Sequence, residues 1–230
     1  MPSSSARRIT FDLDDTLYLE RDFAFSGYEA AGEWLVGRGY GPGFAETCRG
    51  LFLAGERRNI FDRAAQAAGL PPEVVPELVE VYRNHMPRIA LCPDAARYLA
   101  GHGGFAIISD GFERTQRNKI AALGLDRFCD VIVPTGQWAA EYCKPHPRAY
   151  EFVAAASAGR RCVYVADNAA KDFLTPNRLG WITIQILRPG RVHDAAPPTP
   201  AHAAMAVIDS LDQLDSTIAA LGGRTAESIT

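Results

Sequence analysis

The sequence predicts an α/β fold in which helices flank a parallel sheet and a small all-helical domain interrupts the sheet. Three observations predict it. Short apolar runs recur along the chain, each bounded by turn residues. Segments with helical spacing lie between or after the later runs, the pattern of βαβ units. Residues 19 to about 88 hold no convincing strand, so the alternation breaks there and nowhere else.

The runs, in order, are "RITFDLDD", "GFAIISDG", "CDVIVPTG", "RCVYVADN", "WITIQIL" and "MAVIDS". Helices are predicted over Thr115 to Leu123, Pro147 to Ala156 and Ser210 to Leu221. The segments "RDFAFSGYEAAGEWLVGRG", "GFAETCRGLFLAGERRNIFDRAAQAAGL" and "PPEVVPELVEVYRNHM" read as helices, with breaks at Gly39 to Gly43 and Gly69 to Pro72. The expected organisation is a Rossmann-like α/β core of residues 1–18 and 89–230 with a helical cap domain of residues 19–88. The sheet is expected to resume at about Pro93. The stretch "HDAAPPTPAHAA" (193–204) reads as a surface loop, and the last six or so residues are expected to fray.

Composition narrows the function. The chain has 230 residues, 47% hydrophobic and 22% charged, with a net charge of −3. Those values describe a soluble globular protein and lack the positive field that non-specific nucleic-acid binding needs. No apolar run approaches the ~18 residues of a membrane span, and "MPSSSARR" has no apolar stretch behind it, so neither membrane insertion nor secretion is expected. The five cysteines (Cys48, Cys92, Cys129, Cys143, Cys162) form no CxxC pair and read as mostly buried, reduced residues of a cytoplasmic protein.

In parallel sheets, ligands gather at the carboxyl ends of the strands. Four runs end there in polar residues: Asp12 and Asp14, Ser109 and Asp110, Thr135, and Asp167. Their clustering into one site is predicted. In "ITFDLDDTLY" three aspartates fall within four positions, and like charges so close need a positive partner. A strand-end Asp cluster can also be a plain capping loop, and Ser109 a helix cap.

The set formed by "DLDDT", Ser109 after "FAII", Lys144 in "YCKPHPRAY", and Asp167 with Asp172 in "DNAAKD" resembles the haloacid dehalogenase superfamily, in its phosphatase branch with a helical cap after the first strand. The resemblance runs from Arg8 to about Leu221. It implies Mg²⁺ held by Asp12, Asp167 and the backbone carbonyl of Asp14, a hard cation on oxygen ligands. It implies Asp12 as the nucleophile, forming an aspartyl phosphate, and Asp14 as the general acid and base. The superfamily's dehalogenases lack an aspartate at the second position, so Asp14 favours phosphoryl transfer. Ser109 and the N–H groups of Asp110 and Gly111 would cradle phosphate. Lys144 would neutralise charge as a point cation.

Asp172 is expected to orient Lys144 or metal-bound water, or else to complement a helix N-terminus. Asn168 would cap that helix or touch the metal's waters. Asp15 would stabilise the turn, and Thr16 would tie it down or contact phosphate. Asp110 would select against very acidic substrates, or point away.

Arg21, Tyr28, Arg57, Arg58 and Tyr82 are the cap's candidates for reading the substrate, each with a solvated or packing role as the alternative. Phe23, Trp34, Phe52 and Phe61 would form the cap's own core. The expected ligand is a small phosphate ester, a sugar phosphate or nucleoside monophosphate, acted on by a monomer or homodimer. A phosphomutase, or a binding module that retains the fold, is the alternative.

Overall fold

The computed structural model describes residues 7–193 and 196–227. The first six residues, residues 194–195 of the Pro/Ala-rich loop and residues 228–230 lie outside that description, together with the expectations that fall on them.

Six strands form one parallel sheet: β1 (Arg8–Phe11), β2 (Phe105–Ser109), β3 (Cys129–Pro134), β4 (Cys162–Ala166), β5 (Ile182–Ile186) and β6 (Ala206–Ile208). Each falls within a predicted run. Helices are α1 (Glu20–Val36), α2 (Phe44–Leu53), α3 (Ile60–Ala67), α4 (Val75–Asn84), α5 (Pro93–Gly101), α6 (Glu113–Ala122), α7 (Arg148–Ala156), α8 (Leu174–Arg178) and α9 (Leu214–Glu227). Strands β2, β4 and β5 are buried at every position, which explains why β2 and β4 read as nearly continuous apolar runs, while β5 alternates isoleucine with Thr183 and Gln185, both buried polar residues.

The strand order is β3-β2-β1-β4-β5-β6. The chain leaves β1 in one direction and returns to place β4 on its other side, so β1 and β4 flank the point where the order reverses. Thr10 lies opposite both Ala106 and Tyr164, and Phe11 opposite Ile107 and Val165. That register carries Asp12 and Asp167 out at the same edge, the crevice where open α/β sheets bind ligands.

Several expectations are corrected. The sheet resumes at Phe105, because Pro93 opens helix α5. Proline suits a first helical position, Asp94 follows as a first-turn acid, and Ala95, Tyr98 and Leu99 at helical spacing face the core. The stretch from Gly43 to Leu70 is not one helix. Gly55 (φ 93°) and Asn59 (φ 55°) turn the chain between α2 and α3. Helix α9 continues to Glu227, beyond the point where fraying is expected.

Helices α1–α4 pack around a cluster of their own that includes Tyr28, Leu35, Phe44, Cys48, Phe52 and Leu78. Trp34 and Phe61 pack against it, but Phe23 turns instead to the sheet's core. All five cysteines are free. Cys48 and Cys162 are buried and the other three half-buried, more open than expected. Among the described residues no helix is long and apolar enough to cross a membrane.

Candidate active site

Asp12 follows β1 directly, with its N–H on the carbonyl of Val165 in β4 (2.9 Å). Its carboxylate is 4% exposed and accepts the Lys144 ammonium at 2.6 Å. Burial pushes the Asp12 carboxyl up to about 6, opposed by Lys144 and reinforced by the charge of Asp172. Lys144 also lies 2.7 Å from Asp172 Oδ1 and donates to the Tyr164 hydroxyl at 3.2 Å. Burial alone would lower the lysine, but Asp12 and Asp172 outweigh it and hold it well above its ordinary value.

Asp172 is fully buried and faces Lys144. It also accepts the Tyr164 hydroxyl and the Asn168 N–H, both at 3.1 Å. Asn168 turns its own Oδ1 to the N–H of Ala170 (3.0 Å), closing the turn.

Asp167 follows β4 and is 3% exposed, and its Oδ2 is buried without a hydrogen-bond donor. Burial, then the charges of Asp12 and Asp172, push this carboxyl up to about 8. Carboxylate oxygens of Asp12, Asp167 and Asp172 lie within 4.8 Å of one another. Both oxygens of Asp172 are engaged, Oδ1 by Lys144 and Tyr164 and Oδ2 by the Asn168 N–H, whereas Lys144 takes Oδ1 of Asp12, so Asp12 and Asp167 are the pair with acceptor capacity to spare. With every carboxyl ionised, Asp12, Asp14, Asp110, Asp167 and Asp172 around the crevice would face Lys119, Lys144 and Lys171 with an excess of two negative charges. A hard divalent cation matches that deficit and the orphaned oxygen.

Asp14 stands at the mouth, with its side chain 21% exposed. Lys119 of α6 grips both its oxygens (2.7 and 3.0 Å), and the Tyr18 hydroxyl donates to Oδ1. Burial would raise this carboxyl, but Lys119 and Tyr18 outweigh it and hold it below the usual range.

Ser109 ends β2 and donates its hydroxyl to Gln116 Oε1 at 2.8 Å. Gly111 takes φ 123°, and a Cβ there would come within 2.6 Å of the Gln116 amide nitrogen. Asp110 is a strut. Its Oδ1 accepts Thr135 Oγ1 (2.7 Å) and the Lys144 N–H (3.1 Å), and Lys171 stands 3.4 Å from Oδ2. Thr16 has a buried hydroxyl without a partner, while its carbonyl accepts Arg188 Nε at 2.7 Å. Asp15, at φ 52°, ties two segments to the turn by accepting the N–H groups of Glu20 (2.9 Å) and Val192 (2.6 Å). Burial pushes its carboxyl up to about 6.

The structure does not bring the cap's arginines and Tyr28 together with these groups. Tyr28 is 4% exposed, in ring contact with Phe25, Phe52, Phe61 and Tyr82. Arg57 donates to the carbonyls of Phe52 and Glu56 and lies over the Phe52 ring, Arg58 is exposed, and Arg21 pairs with Asp22 at 3.7 Å. Tyr82 stacks on Tyr28 and meets Phe23 edge-on.

Sequence reasoning misses Lys119, Lys171, Tyr18, Tyr164 and Gln116. Tyr164 leaves one trace, a phenol inside an otherwise apolar strand, because a buried hydroxyl wants a partner. Lys119 sits among polar residues of α6 and leaves none.

Fold and site together place a cluster of strand-end aspartates and buried lysines at the crevice of an open α/β sheet. A family model for haloacid dehalogenase-like hydrolases matches residues 6–180, and the chain belongs to that family. It is 26% identical over 196 residues to a glyceraldehyde 3-phosphate phosphatase of Methanocaldococcus jannaschii, covering 78% of this chain and 84% of that protein. Two solved structures share the fold. One is a haloacid dehalogenase-like hydrolase of Xanthomonas campestris (TM-score 0.60, 16% identity, 97% of this chain and 99% of that one). The other is an L-2-haloacid dehalogenase of Xanthobacter autotrophicus (TM-score 0.56, 19% identity, 92% and 98%).

Proposed function

We propose that the chain is a Mg²⁺-dependent phosphatase that hydrolyses a small phosphorylated metabolite, a sugar phosphate or nucleoside monophosphate, through an aspartyl phosphate on Asp12. The observation that carries this reading is the pairing of Asp12 with Lys144 beside the donorless oxygen of Asp167. Asp12 and Asp167, with the Asp14 carbonyl, would hold the cation, which offsets negative charge between carboxylate and phosphate.

Lys144 keeps Asp12 ionised and fixed in line with the phosphorus, and is itself fixed by Asp172 and Tyr164. An Asp12 oxygen attacks phosphorus and the P–O ester bond breaks; the negative phosphate bound beside Asp14 favours its protonated form against the pull of Lys119 and Tyr18, and the leaving oxygen takes that proton. Asp14 then takes a proton from water, which attacks the aspartyl phosphate and releases inorganic phosphate. Ser109 and the N–H groups of Asp110 and Gly111 receive the phosphoryl oxygens, with the Ser109 hydroxyl turning from Gln116.

The fold alone serves dehalogenases too. Asp14 favours the phosphatase, since a departing alkoxide needs a proton and a departing halide does not. The phosphatase relative at 26% identity supports the same side. Residues 19–88 act as a cap that closes over the crevice and excludes water. Five free thiols accord with a reducing, cytoplasmic setting.

The test is phosphate release from a panel of sugar phosphates, nucleoside monophosphates and an aryl phosphate, with Mg²⁺ and with EDTA, for wild type and Asp12→Asn. Metal-dependent release, lost in the variant, is expected. Folded, Mg²⁺-loaded wild type that releases phosphate from none of them overturns the reading.

A further inference from the structure

Lys119 is a lysine buried in a helix that packs on the sheet, where a leucine or methionine would serve packing alone. Its side chain is 5% exposed, and burying an ammonium is costly without a specific partner. Among the described residues its ion-pair partner is Asp14, gripped through both oxygens at 2.7 and 3.0 Å. The ammonium also lies 4.2 Å from the centre of the Phe23 ring on α1. Tyr18 is fully buried, and its hydroxyl donates to the same Asp14 oxygen that Lys119 holds at 2.7 Å.

One turn before Lys119 on α6, Gln116 accepts the hydroxyl of Ser109. Residues three apart on a helix share a face. That face of α6 therefore reaches both the serine at the end of β2 and the acid beyond β1. A packing role accounts for neither contact.

We infer that Lys119, together with Tyr18, is a positioning residue that fixes the Asp14 carboxyl where the ester oxygen departs and the attacking water arrives. The assignment rests on the phosphatase reading above. Two donors on one oxygen, with Lys119 on the second oxygen as well, leave Asp14 little rotational freedom, and proton transfer needs heavy atoms within about 2.6–3.2 Å. Lys119 itself touches neither phosphate nor leaving group.

Leaving groups of different acidity separate this role from a structural one. 4-Nitrophenolate departs without a proton, whereas an alkoxide requires one. Rapid mixing of enzyme with 4-nitrophenyl phosphate, and with an alkyl phosphate that wild type turns over, gives the rate of the first step for each. In Lys119→Met, alcohol release is expected to fall about 10²-fold, the usual scale of general-acid assistance. Nitrophenol release is expected to stay within about 3-fold of wild type. Lys119→Arg, which keeps a two-pronged cation, should recover most of the alcohol release. Tyr18→Phe, a milder change, should show the same split at smaller size, and it carries the test if Lys119→Met does not fold.

Equal slowing of both leaving groups, or no change in either, overturns the assignment and leaves the phosphatase reading standing. Wild type that releases neither leaving group overturns the phosphatase reading and this assignment with it.

Discussion

The Lys144 ammonium lies 2.6 Å from Asp12 Oδ1 and 2.7 Å from Asp172 Oδ1, one buried cation shared by two buried carboxylates. Removing it leaves both anions uncompensated. Lys144→Met should lower kcat by about 10²–10³-fold, the cost of one preorganised electrostatic partner. It should also destabilise the fold by roughly 3–5 kcal/mol, the penalty for breaking a buried pair from one side. Steady-state kinetics and urea unfolding read the two effects, and normal turnover in the folded variant contradicts this role for Lys144.

Asp167 should respond in the opposite direction. Its carboxylate is buried beside Asp12 and Asp172 with one oxygen lacking a donor. In the metal-free protein, Asp167→Asn relieves that repulsion and should raise Tm, by about 2–4 °C for each kcal/mol relieved in a chain of this size. Added Mg²⁺ should then stabilise wild type, as a ligand of the native state does, and leave the variant unmoved. Equal stabilisation of both proteins would remove Asp167 from the ligand set.

Gly136 and Gly50 should differ in sign. A Cβ on Gly136 would overlap the Gly111 carbonyl and stand 3.0 Å from the Glu113 N–H nitrogen. Gly136→Ala must therefore push the Ser109–Gly111 turn away from Thr135, costing about 1–3 kcal/mol and lowering turnover. Gly50 lies within α2 with nothing inside 4 Å of an added Cβ. Gly50→Ala should stabilise by roughly 0.5–1 kcal/mol and leave turnover unchanged. Chemical denaturation of the two variants decides it.

Asp94 joins three segments, and its partner Arg188 also holds the Thr16 carbonyl. It accepts Arg188 through both oxygens (2.9 and 3.1 Å) and the Leu211 N–H (2.7 Å). Burial alone would push its carboxyl up, but these hydrogen bonds outweigh it and hold it below the usual range. A carboxyl depressed in the folded state stabilises fully above its ordinary value and loses that contribution as pH falls through the folded value. Urea midpoints from pH 7 to pH 3 should therefore fall less steeply in Asp94→Asn than in wild type, from a starting stability lower by about 3 kcal/mol. Parallel pH curves would contradict the linkage.

What the sequence reveals follows from what is local. The strands are legible because each is a short β-prone, largely apolar run bounded by turn residues, most continuous in β2 and β4, which are buried at every position. Asp12, Ser109, Lys144 and Asp167 are legible because each sits beside such a run or in a short motif of fixed order. Helix α5 is not, since Pro93 reads as a break when its neighbours are unknown. Asp110 is legible as a polar strand end but not as a strut, because Thr135 and Lys171 come to it from loops after β3 and β4. Lys119 is hidden completely. Its partner Asp14 lies 105 residues earlier in the chain, and nothing in α6 distinguishes a buried lysine from a solvated one. The residues of the α1–α4 segment depend on packing in the same way. Tyr28 and Arg57 carry suitable chemistry, but packing turns it inward or along the helical layer.

On the proposed reading, Asp12 carries the phosphoryl group during turnover. Acid quench of wild type within one turnover of a phosphate ester, followed by peptide mass mapping, tests it most directly. The account predicts one phosphoryl group on the peptide containing Asp12, labile to hydroxylamine and absent when Mg²⁺ is withheld. Turnover at full rate with no phosphoryl group on the protein, or with it on another residue, would contradict the account.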